Sequence, residues 1–104
     1  MAELLKEAIH RLSDVVNPST RITHSRDKSK AQELLLELHK EGETLTYEEV
    51  KMIALEIGWS ELHADTLAKL AQHIDSGGHV VIENPLNWGE YIVSEIKKKL
   101  SDNT

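Results

Sequence analysis

Apolar residues recur at helical spacing through almost the whole chain, and a glycine or proline falls where each of the first four runs ends. That alternation confines the chain to a set of short amphipathic helices. Leu4, Leu5, Ala8, Ile9, Leu12, Val15 and Val16 lie on one face of a helix over 2–16. Pro18 and the cap-forming run "NPSTRITHSRD" break the pattern, so 17–27 reads as a loop, locally basic through Arg21 and Arg26. A second helix, about 28–41, buries Ala31, Leu34, Leu35 and Leu38 and stops at Gly42. Thr46 and Glu49 make a T-x-x-E capping box, which starts a third helix with Val50, Ile53, Ala54 and Ile57 inward. Gly58 ends that helix. Ser60 then caps a fourth, running to about Asp75 with Ala64, Leu67, Leu70, Ala71 and Ile74 as its stripe, and Gly77 and Gly78 terminate it. The last helix holds Leu86, Ile92, Val93, Ile96 and Leu100, with Lys97–Lys99 placed to complement its C-terminal dipole.

One stretch departs from this rhythm: "DSGGHVVIENPLNWGEY", Asp75 to Tyr91. Asn84 is a good N-cap with Pro85 at the first helical position, where a missing N–H costs nothing. Asn87 and Glu90 offer a second N-x-x-E start, and both starts stay open at this level. Between the glycines and Asn84, "HVVIE" has strand character but is too short to stand alone. Its natural partner is "ETLT". The expected fold is therefore all-α: one domain over 1–104 with five helices and a small two-stranded ribbon, about 43–46 with 79–83. Val81 and Ile82 point to opposite faces of such a strand, so burying both needs a lid, for which Trp88 and Tyr91 are nearest.

A chain of 104 residues, 39% hydrophobic and 29% charged, suits one soluble globular domain. No apolar run approaches the roughly 20 residues that cross a bilayer, and "MAELLKEAIHRL" is no secretory signal. There is no cysteine, which rules out disulfides and thiolate metal sites and fits a reducing compartment. The expected location is the cytoplasm, with no membrane partner. Charge is uneven: residues 41–95 hold eleven acids against Lys51 and Lys69, a net of −9 within a chain total of −6. Such a centre repels phosphate backbones and favours basic protein partners or plain solubility.

Chemistry-bearing constellations are scarce. "HIDSGGH" sets His73, Asp75 and His79 close in sequence, superficially two histidines and a carboxylate around a metal. Residues two apart on a helix point about 200° from each other, so no metal is expected. There is no G-x-S-x-G turn, and no serine has an evident histidine partner. "DSGGH" follows a helix, whereas a phosphate loop follows a strand and opens a helix. The expectation is no catalytic residue, no cofactor and no enzyme. A sharper alternative is DNA binding, because "VKMIALEIGWSELHADTLAKL" resembles a helix-turn-helix and the ribbon would imitate a wing. Against it, 60–75 carries Glu61, Asp65 and Asp75 with Lys69 alone as a strong cation. No nucleic-acid partner is expected. Of the four aromatics, Trp59 at a helix corner belongs to the core. Trp88 and Tyr91, three apart in the last helix, form either the lid or, with Glu83, a protein-contact patch.

From about Ala31 to Leu100 the segments "EIGW", "GGHVVIENP" and the tyrosine of "WGEYIVSEIKKKL" resemble the YoaC-like family of small enterobacterial proteins, a domain of unknown function. There too a helix ends in Gly-Trp, and a short strand leads to Asn-Pro and a last helix. The shared positions are Gly58, Trp59, Gly77, Val81, Ile82, Asn84, Pro85 and Tyr91. The resemblance implies a mainly helical cytoplasmic protein over about 28–100 and no activity; the first thirty residues share little with it. The function expected is a non-enzymatic protein–protein interaction module. The alternatives are an acidic inhibitor or immunity-type protein covering a basic site, and a winged-helix-like DNA-binding regulator.

Overall fold

Among the described residues five helices carry the architecture: α1 (Glu3–Val15), α2 (Ser25–Lys40), α3 (Tyr47–Ile57), α4 (Glu61–Asp75) and α5 (Trp88–Asp102). The structure, a computed structural model, describes residues 3–15, 25–80, 82 and 85–102. α2 begins at Ser25, three residues before the sequence pattern places it, and the rest of the expected loop lies outside the described residues.

Two helix pairs dominate the packing, α3 against α4 and α2 against α5, with α1 lying across α2, α3 and α5 and α2 also reaching α4. Leu5, Ile9 and Leu12 of α1, Leu34, Leu35 and Leu38 of α2, Val50 of α3, Leu67 of α4 and Ile96 of α5 are all fully buried in one core. Each such side chain contributes about 1.5–3 kcal/mol of apolar burial. The two pairs share this core through α1 and α2, so neither has an apolar face of its own to lose.

The helix ends are set by short-range chemistry where the sequence predicts it. Thr46 is extended (φ −71°, ψ 149°) and its side chain accepts the Glu49 N–H, while Ser60 does the same for His63. Gly58 sits at φ 115°, in the left-handed region, so that the N–H of Trp59 can turn back to the Ala54 carbonyl at 3.0 Å. That turn delivers the Trp59 ring, 3% exposed, into the core.

Among the described residues the expected ribbon, 43–46 with 79–83, does not form. Among the described residues there is no strand, and neither 43–46 nor His79, Val80 and Ile82 enters a ladder. The reason lies in where the polar groups of 43–46 are already committed. The Glu43 N–H closes α2 on the Leu38 carbonyl (3.1 Å), the Leu45 N–H reaches Asp75 Oδ1 (3.3 Å), and Thr46 serves as the cap of α3. Leu45 is wholly buried, which draws this segment into the core as a connector. On the other side Gly78 closes α4 on the His73 carbonyl (2.8 Å). Val81, Glu83 and Asn84 lie outside the described residues.

α5 starts at Trp88, so the second of the two readings gives its position and Pro85 precedes the helix. Its start is held from a distance. The Asn87 N–H donates to Glu33 Oε1 of α2 at 2.5 Å, and the Asn87 carbonyl accepts from Tyr91 (3.2 Å). A carboxylate at the positive end of a helix is favourable in its own right. Two residues on, Gly89 lies so close to α2 that a Cβ there would overlap backbone atoms of Glu33 and Leu34.

Candidate functional site

α3 is the most apolar of the five helices. Val50, Ile53 and Ala54 take its inner face into the core. Its outer face turns Met52 and Leu55 to solvent, 57% and 43% exposed. Residues three apart are neighbours on a helix surface, so these two form one apolar step. With Tyr47, Glu48, Lys51 and Glu56 they line a shallow concavity of about 480 Å³. Its volume falls within the roughly 300–1,000 Å³ of ligand-sized depressions, and its floor is hydrocarbon.

One wall of this depression is pinned. The Tyr47 ring packs partly on the core, and its hydroxyl donates to Asp65 of α4. Asp65 also pairs with Lys69 one turn along α4, at 3.1 Å. The Tyr47 hydrogen bond and then Lys69 hold the Asp65 carboxyl below its ordinary value. Lys51 lies 5.6 Å from the centre of the Tyr47 ring and 3.7 Å from the Glu61 carboxylate. Tyr47 first, then Glu61 and Asp65, raise the Lys51 ammonium above its usual value. Its charge is thus turned toward acids on the neighbouring helix. Glu56 makes a long pair with Lys6 of α1 (3.9 Å), and no ion pair involves Glu48 among the described residues.

A second recess, about 170 Å³, lies where α2 meets the approach to α5, lined by Glu33, Glu37, Lys40, Ile82, Pro85 and Glu90 among others. Glu33 is only 8% exposed, and its Oε2 has no hydrogen-bond partner among the described residues. The work shown for this carboxylate is the capping of α5 through Oε1.

Residues 1–97 match the family described as a domain of unknown function (DUF1889). The chain belongs to that family. No curated protein and no solved structure matches it. The family match takes in α1, which the resemblance from about Ala31 to Leu100 does not reach.

Within this family fold the residues singled out by sequence fall apart. Trp88 is half-buried and packs against the core, whereas Tyr91, one turn later, is 59% exposed and leans on Glu95, which raises its hydroxyl pKa. Glu83 lies outside the described residues. His73 Nε2 meets the His79 carbonyl at 3.3 Å, and Asp75 is turned to the Leu45 amide. These contacts give the three "HIDSGGH" residues separate tasks. Among the described residues no group of three or more potential ligands converges. Ser60 and His63 do touch, but the serine oxygen also caps α4. Among the described residues no helix is long and apolar enough to cross a membrane.

Met52 and Leu55 escaped the sequence reading, although a signal was present. "MIALEI" is apolar on too many consecutive positions for one buried stripe, so part of it must face outward.

Proposed function

We propose that this protein acts without catalysis, in the cytoplasm, by binding another protein through the outer face of α3. One observation carries the reading: Met52 and Leu55 lie exposed side by side above a concavity whose tyrosine wall is fixed in place. An isolated exposed leucine is ordinary. Two large apolar side chains lining one depression beside a held aromatic make a surface suited to an apolar partner. The likeness to YoaC-like proteins fits this reading, since it brings no chemistry of its own. A second reading, an acidic inhibitor covering a basic site, draws on the net −9 of residues 41–95.

The test is affinity capture with the natural chain and with Met52→Asn/Leu55→Asn, at about physiological salt and at high salt. A partner retained by the first and lost by the second, while the second keeps its helix content and a cooperative melt, supports docking on α3. Identical capture by both discards it. Nucleic acid in the eluate instead of protein favours the regulator.

A further inference from the structure

The occupant of the α3 face can be narrowed by charge and length. We infer that it takes a short amphipathic helix of a partner protein, apolar along one side and flanked by lysine or arginine; this rests on the reading of α3 as a docking face.

The rim of the concavity is acidic. Its lining carries Glu48 and Glu56 against Lys51; Lys51 is paired with Glu61 at 3.7 Å, and Glu56 makes only the long 3.9 Å pair with Lys6 of α1. A ligand lying on Met52 and Leu55 therefore meets carboxylates at its edges and no uncommitted cation. Those charges are exposed, so they steer and select more than they bind.

Length sets the second limit. Eleven helical residues span about 16 Å, room for roughly three turns of a crossing or parallel helix. Tyr47, Met52 and Leu55 follow one another along the axis at rises of about 7.5 and 4.5 Å, which an antiparallel partner meets with side chains near i, i+3 and i+7 in the helix-in-groove mode. Methionine adapts to such side chains because it is unbranched and polarizable.

Other occupants fit worse. A second copy would bring an identical acidic rim against the first. The chain's own lysine run is engaged elsewhere, Lys97 with Glu41 at 2.9 Å and Lys99 with Glu7 at 3.5 Å. Phosphate-rich surfaces, whether nucleic acid or anionic lipid, are repelled by the same carboxylates.

The experiment is a selection on the full chain. A displayed library of helix-forming peptides, about four turns long and randomised at apolar and charged positions, is panned on the natural chain and counter-selected on Met52→Asn/Leu55→Asn. Enriched peptides are synthesised with a fluorophore and titrated by anisotropy at low and high salt. The inference expects enriched sequences with a net positive charge and apolar residues at i, i+3 and i+7, whose affinity falls with salt. Glu48→Lys/Glu56→Lys should weaken them by about two- to fivefold per charge. Enrichment of neutral or acidic helices that still need Met52 and Leu55 overturns the cationic assignment and leaves the docking face standing. Enrichment that ignores Met52 and Leu55, or none at all, overturns both.

Discussion

At the scale of single residues, two positions join α2 to α5 and neither acts through its own helix. Gly89 is where the two backbones touch. Alanine there would gain about 0.5–1 kcal/mol of helix propensity in isolation. Here its methyl would have to displace backbone of Glu33 and Leu34, which cannot yield as a side-chain tip would. Gly89→Ala should therefore destabilise by about 1–3 kcal/mol, the range for overpacked cores, read from the shift in a urea unfolding midpoint. An unchanged or raised midpoint would mean that the helices do not meet at that point. Glu33 is the other joint. Removing it with Glu33→Ala frees the Asn87 N–H and takes a carboxylate from the start of α5, at a cost of about 1–2 kcal/mol. Hydrogen exchange should locate that loss at the first turn of α5, with α3 and α4 little affected; uniform loss of protection would contradict a local cap.

At the scale of elements, what could be read in the sequence was whatever is decided within one turn of chain. Thr46 and Ser60 cap the helices they precede, Gly58 reverses the chain after α3, and Trp59 is buried by that reversal. The ribbon failed because its deciding partner, Asp75, lies thirty positions from Leu45 and acts through a side chain. The sequence leaves two starts for α5 for a similar reason, since Glu33 is 54 positions from the amide it binds. The outer face of α3 was legible in principle, as an excess of apolar positions, but periodicity could not say which of them the neighbouring helices would leave uncovered. The α3–α4 pair carries a pH prediction of its own. The Asp65 carboxyl is held below its usual value by Tyr47 and Lys69, so its contribution is complete above about pH 4, near the unfolded value, and is lost as pH falls through the lower folded value. Asp65→Asn should flatten the acid limb of the stability curve, measured by thermal melts from neutral pH downward. An unaltered limb would show that the Tyr47–Asp65 contact does not couple the two helices.

At the scale of the molecule, α1 and α2 bind the two helix pairs into a single core, so heat should unfold the chain in one cooperative step. Calorimetric and van't Hoff enthalpies that agree would bear this out, and a separate early transition for α3–α4 would not. Against that rigid core the outer face of α3 is dispensable. Met52→Asn/Leu55→Asn, both changes lying at partly exposed positions, should cost about 0.5–1 kcal/mol each, through helix propensity and lost partial burial, and leave the cooperative fold intact. On the proposed reading stability and binding thereby separate: the inner face of α3 holds the fold, and the outer face takes the partner. Hydrogen exchange of the full chain, with and without a bound cationic helix, tests that division most directly. The account predicts added protection concentrated in residues 47–57, with α5 unchanged; protection centred on Trp88 and Tyr91, and none on α3, would contradict it.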